Sequence, residues 1–135
     1  MSHMKIEIDK NQANINIIKS YSNDGVVIKN ILYKKSIVVS PEKILEDWQP
    51  QFFGDLAMSH FKNILELSPE IVLIGTGEHL QFPSRDIIDS MLLKQIGVEI
   101  MDTGAACRAY NFLAGEGRMV VAALLPLGPE DNGSN

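Results

Sequence analysis

The chain has 135 residues, 45% of them hydrophobic, with 12 lysines and arginines against 17 aspartates and glutamates and a formal net charge of −5. That length suits one domain with a real core, and the acidic balance argues against nucleic acid as a partner, because such binding needs a basic face. No stretch reaches the roughly 20 apolar residues of a membrane helix, so no membrane insertion is expected.

Met1-Ser2-His3 reads as a cloning remnant before a natural start at Met4, so residues 1–4 are set aside. The opening MSHMKIEIDK lacks the apolar segment of a secretory signal. The single Cys107 has no internal disulfide partner, which points to a reducing compartment such as the cytoplasm. Residues 5–127 are expected to form one α/β domain. Residues 128–135 carry no large apolar group and are expected to be a disordered tail.

Lys5 to Ser40 reads as a β region. Ile6 and Ile8 alternate with charged residues, and Ile15-Asn16-Ile17 repeats the pattern. Ser22-Asn23-Asp24-Gly25 is a tight-turn signal, because Asp-Gly favours positive φ. Lys29-Asn30 marks a second turn, followed by strands at 31–33 and 36–39. Lys34 and Lys35 suit a solvated turn or an edge. Pro41 should end the β region. Trp48, Phe52 and Phe53 then read as aromatics of a connector plugging onto the core, with a partner-binding patch as the alternative.

Asp55 is expected to cap a helix reaching Leu67, with Phe61, Ile64 and Leu65 on its apolar side. His60 reads as a surface or core-edge histidine, and Ser68-Pro69 as the stop. From Ile71 the chain reads strand, loop, helix, strand, helix, strand. Ile71 to Ile74 is a continuous apolar run, as in a strand buried on both faces. Ser84 is the expected cap of a helix through Ile87, Ile88, Met91 and Leu92, with Gly97 as its C-terminal glycine. Val98 to Met101 is the next strand. Thr103 is the expected cap of the second helix, and Met119 to Leu125 the last strand. Strands alternating with helices imply right-handed β-α-β units and a largely parallel sheet. Ligands in such sheets sit beyond the carboxyl ends of the strands. Gly75-Thr76-Gly77 and Asp102-Thr103-Gly104 both fall on that edge.

Neither turn matches a specific ligand motif. Gly75-x-Gly77 lacks the third glycine of a dinucleotide fingerprint, since Leu80 stands there, and no Gly-Lys-Ser/Thr follows. It reads as a positive-φ turn, with a backbone anion nest as the alternative. Asp102-Thr103-Gly104-Ala105 has the aspartic-protease tripeptide, but that mechanism needs two carboxylates and the following residues read as helix. Cys107 falls in the first turns of the helix, where the dipole can lower a thiol pKa and His79 could serve as base. Inert burial is the simpler reading. Arg85 and Arg108 could join helix N-terminal amides around an anion.

The stretch IVLIGTGEHLQFPSRDIIDSMLLKQIGVEIMDTGAACRAYNFLAGEGRMVVAALLP resembles a small domain-of-unknown-function family that includes the mitochondrial complex I assembly factor 3. The pieces that carry the likeness are Gly75-Thr76-Gly77, Phe82-Pro83, Asp102-Thr103-Gly104-Ala105-Ala106 with Tyr110-Asn111, and Glu116-Gly117-Arg118. The turns between Tyr21 and Pro41 also fit, so the resemblance spans about Ile6 to Leu127. It implies a three-layer α/β fold, β+α/β/α, with an N-terminal antiparallel β layer. For mitochondrial members it implies an interaction role in respiratory-complex assembly. For prokaryotic members it implies no established activity, and it supplies no catalytic residues.

The expectation is therefore a non-enzymatic, assembly-factor-like protein with protein partners and no cofactor. The alternative is a binder of a small anion, or an enzyme acting on one, using a cleft between the 75–79 and 102–108 turns. The candidate ligand-binding set is Gly75, Thr76, Gly77, His79, Arg85, Thr103, Gly104, Cys107 and Arg108. No catalytic residue and no metal ligand is assigned.

Overall fold

A computed structural model describes residues 14–128. The expectations for the N-terminal remnant, the Ile6–Ile8 alternation and residues 129–135 lie outside the described residues.

Among the described residues, eight strands form two sheets. β1 (Ile18–Ser22), β2 (Gly25–Ile28) and β3 (Ile31–Tyr33) make an antiparallel meander. Its first turn is the expected one, closing Ser22 against Gly25, where φ is +141° and an added Cβ would lie 2.3 Å from the Tyr33 carbonyl oxygen. At the second turn Lys29 and Asn30 both take positive φ, the twist a two-residue hairpin needs. The first strand begins later than the Ile15-Asn16-Ile17 alternation suggests, and Tyr21 lies inside it.

The second sheet holds β4 (Ile37–Val39), β5 (Ile44–Leu45), β6 (Ile71–Gly75), β7 (Gly97–Met101) and β8 (Val120–Leu124), in the order β5-β4-β8-β6-β7. β7, β6 and β8 run parallel, while β4 and β5 extend the sheet antiparallel. The chain is thus α/β, with the added antiparallel layer. β4 leaves the N-terminal β region for the central sheet, and β5 follows Pro41, so that proline does not end the strands. Among the described elements are the helices α1 (Lys62–Leu65), α2 (Arg85–Leu92) and α3 (Thr103–Gly115).

Strand alternation divides the core. Ile37, Val39, Leu73, Val120, Ala122 and Leu124 face the meander and α3, meeting Ile18, Ile28, Cys107 and Tyr110. Val38, Val72, Ile74, Val121 and Ala123 face the other way, toward Trp48, Phe61, Ile64, Ile87 and Met91. A strand buried on both faces needs an unbroken apolar run, which is what residues 71–74 and 120–124 supply.

Several end signals resolve differently from expectation. Asp55 lies in a short 3-10 turn (Phe53–Asp55), and a second one (Met58–Phe61) leads into the single turn of α1. The Ala57 amide there donates to His60 Nδ1 at 3.0 Å. Ser84 precedes α2, but its hydroxyl engages Asp86 instead of a helix amide, and Asp86 Oδ1 accepts the Ile87 N–H at 3.0 Å. Gln95, not Gly97, takes the left-handed position after α2, at φ +62°. The Ile96 and Gln95 amides bond back to Met91 and Leu92 in the Schellman pattern. Gly97 opens β7.

Candidate functional site

The two glycine turns meet, and Thr103 joins them. The helix cap is Asp102, whose Oδ1 accepts the Ala105 N–H at 2.9 Å. Thr103 is thereby freed from capping. Its hydroxyl accepts the Gly77 N–H at 2.8 Å and donates to the Leu125 carbonyl at 2.8 Å. Its amide donates to the Gly77 carbonyl at 2.9 Å. One threonine thus ties together the ends of β6 and β8 and the start of α3. Gly75 permits the approach: a Cβ there would lie 2.9 Å from Thr103 Oγ1 and 3.0 Å from Thr103 Cα. Gly77 supplies φ +100°.

Thr76 closes the outer side. Its amide donates to the Met101 carbonyl at 2.9 Å, and its hydroxyl donates to the His79 carbonyl at 2.7 Å while accepting the Gln81 N–H at 3.1 Å. The Thr76 and Gly77 amides, which a backbone anion nest would use, are therefore spent inside the protein.

The remaining candidates scatter. Arg85 is 89% exposed at its side chain and lies 4.0 Å from Asp89 on the same helix. His79 is 81% exposed and 3.8 Å from Glu78. Arg108 turns to the meander, donating to the Tyr21 hydroxyl, with its guanidinium carbon 6.0 Å from that ring's centroid. Gly104 is buried under the same tyrosine, 3.1 Å from where its Cβ would be. Cys107 is fully buried in the core between α3 and the sheet. Burial pushes its thiol up from 9.0 to about 12, outweighing the opposing pull of Arg108. The helix N-terminus does not make it a thiolate.

A cleft of about 390 Å³ opens beside the closed edge. Thr76 and Gly77 form part of its lining, with Phe52, Phe53, Leu125 and Pro126 as apolar walls and Glu78, His79 and Gln81 at one side. Of the candidate set it gathers Thr76, Gly77 and His79. Arg85, Gly104, Cys107 and Arg108 do not line it, and Thr103 touches it only through its bonds to the lining residues Gly77 and Leu125. Gln51 also lines it but is committed, accepting the Ser36 N–H and donating to the Trp48 carbonyl. The phenylalanines following Pro50 were the sequence signal for these walls. What could not be read was that the connector returns to the strand ends.

Fold and site together define a three-layer α/β protein whose strand-end edge is closed by its own threonines, with a mainly apolar cleft at its side. No described helix is long and apolar enough to cross a membrane. The chain belongs to the family described as protein of unknown function (DUF498/DUF598), whose model matches residues 18–125. It is 32% identical to NADH dehydrogenase [ubiquinone] 1 alpha subcomplex assembly factor 3 of Xenopus tropicalis, over 92% of this chain and 69% of that protein. It is 30% identical to the Homo sapiens factor of the same name, over 88% and 65%. A Francisella tularensis protein called 13 kDa major membrane protein is 30% identical over 90% of this chain and 99% of its own length. The chain thus spans about two thirds of its animal relatives. Among solved structures, a Bordetella parapertussis protein superposes with a TM-score of 0.78 at 34% identity, covering 83% of this chain and 96% of its own. A Xanthomonas campestris protein gives 0.77 at 32%, covering 89% and 91%.

Proposed function

We propose that the chain is a non-enzymatic interaction protein of the assembly-factor kind. The observation that carries this reading is the loop between β6 and α2. There Leu80 is 50% and Phe82 71% exposed, beside a cleft with phenylalanine walls. Exposed apolar side chains grouped beside a cleft with apolar walls suit a protein contact, where scattered ones would carry no such meaning. The names of the animal relatives support assembly as the role, and subunits of an NADH dehydrogenase are the first partners to test. A cytoplasmic site of action belongs to the same reading, supported by a lone cysteine that is fully buried. The Francisella relative's name sets the alternative, which cell fractionation decides.

The test is cross-linking of the full chain in its native cells, followed by identification of the cross-linked proteins. Cross-links from residues 78–83 to one recurrent partner, lost with Leu80→Asp plus Phe82→Asp in a folded variant, are expected. A partner set unchanged by the double variant removes the reading. Binding of a small anion at the same edge has less behind it, because among the described residues no lysine or arginine lines the cleft while Glu78 does. Titration with inorganic phosphate while following the Gly77 and His79 NMR signals tests it directly.

A further inference from the structure

The two sheets present four outer edges among the described residues, and three are blunted. β5 has only two residues. β3 has three and runs directly into Lys34 and Lys35. β1 is capped by a side chain: Asn111 Oδ1 accepts the Ile18 N–H and Asn111 Nδ2 donates to the Ile18 carbonyl, both at 2.8 Å. Short strands, lysines and covering groups are the ordinary defences of a sheet edge.

β7 has none of these. It is five residues long, carries no proline or lysine, and among the described residues pairs only with β6. The Gly97 amide bonds to the Glu70 carbonyl and the Met101 carbonyl takes the Thr76 amide, each at 2.9 Å. Those two bonds set the phase. Gly97, Glu99 and Met101 turn their main-chain groups to β6, so Val98 and Ile100 turn theirs outward. None of these outward groups meets a described residue. Val98 and Ile100 are half-buried on the α2 side. Glu99 is exposed on the opposite side, the one its neighbour Leu73 shares with the α3 core.

We propose that β7 is a docking edge for an extended segment of a partner protein, one that carries a lysine or arginine opposite Glu99 between two apolar residues. The proposal rests on the reading of the chain as an interaction protein. An added strand would satisfy the amides and carbonyls of Val98 and Ile100. Its residues beside them would lie on the α2 side and cover their half-exposed surface, and the residue between would emerge beside Glu99. Opposite charges across a pair of strands stabilise and like charges destabilise. The net charge of −5 favours the same sign of partner. Pairing of two copies centred on this strand would set Glu99 against itself, so the acid selects against self-association while selecting for a cation.

Two probes test this. A short acetylated peptide with Val-Lys-Val at its centre is titrated into the full chain against the same peptide with Val-Glu-Val, following amide NMR signals. The lysine peptide should shift Val98 and Ile100 and bind about tenfold tighter, and Glu99→Lys should reverse the preference. Absence of shifts at those amides, or indifference to the central charge, overturns the proposal. In native cells, Glu99→Lys and Ile100→Pro should each lose the recurrent cross-linked partner. The proline removes an outward N–H that the sheet does not use. A partner kept by both folded variants sinks the docking edge and leaves the interaction reading intact. A wild-type chain with no recurrent partner sinks the interaction reading itself. A wild-type dimer made monomeric by Ile100→Pro shows self-pairing and overturns the partner assignment.

Discussion

On one face of the central sheet, the covering layer is tied down by hydrogen bonds from side chains to main chain. On the other it is held mainly by rings and aliphatic groups. Tyr110 donates to the Asn16 carbonyl at 2.6 Å, Asn111 clasps Ile18 by both its groups, and Asn16 Nδ2 reaches the Ser40 carbonyl at 2.9 Å. Three side chains thus hold the meander and its lead-in against α3 and β4. Across the sheet, Trp48 and Phe61 meet edge to face, with centroids 5.8 Å apart and an interplanar angle of 79°. One polar tie, from Trp48 Nε1 to the His60 carbonyl at 2.9 Å, fixes the indole. The lesson is about specificity. A small meander with few core residues needs directional bonds to fix where it sits, whereas a tryptophan fixes a connector by the area it buries.

If that contrast is right, the largest loss should come from the apolar face. Trp48→Ala removes a buried indole and should cost about 3–5 kcal/mol, read from urea unfolding. Trp48→Phe should recover part of this. A cost below about 1 kcal/mol would show that the connector is not part of the core. Thr103→Val comes next. It keeps the shape but orphans the buried Gly77 amide and Leu125 carbonyl, for about 2–4 kcal/mol. Thr103→Ser, which keeps the hydroxyl, should lose much less. Equal losses in the two would mean that packing of the methyl group, not the hydrogen bonds, closes the edge.

Asn111→Ala tests the polar face itself. It should cost about 2 kcal/mol and do so locally. Hydrogen exchange at β1 and β2 amides should accelerate, while β6 and β8 stay protected. Uniform acceleration would show the meander to be bound into the fold as firmly as the central sheet.

The central fold was legible because its signals are local. Ile71–Ile74 and Val120–Leu124 are apolar runs, and the residues between them carry helix periodicity. Tyr110-Asn111 could be noted as a pattern, but its meaning needed partners 93 and 94 positions away. The same holds at the edge. Thr103 looked like a cap because threonine caps helices, yet Asp102 one residue earlier does so, leaving Thr103 for Gly77 and Leu125. Gly97 looked like a helix stop because glycine favours the left-handed region, but Gln95 takes it, fixed by two Schellman bonds and the burial of Ile96 against Met91. β5 is two residues long and exists only because β4 is beside it. Grouping Arg85 and Arg108 over the strand ends assumed a direction that no sequence states, and Tyr21 draws Arg108 to the meander.

The smallest effect concerns Cys107, and it separates the buried face from the open edge. Its thiol is raised from 9.0 to about 12 by burial. A raised acid leaves stability whole below the unfolded-state value and erodes it above, because the unfolded chain releases the proton first. The window therefore runs from about pH 9 upward, with a loss of about 1.4 kcal/mol per pH unit as its upper limit. Cys107→Ala should flatten that slope without changing stability much at pH 7. A maleimide at pH 8 should label the native chain no faster than global unfolding permits. Rapid labelling of the folded chain would mean that α3 opens at its N-terminal turns, and that the edge closed by Thr103 is mobile instead of sealed.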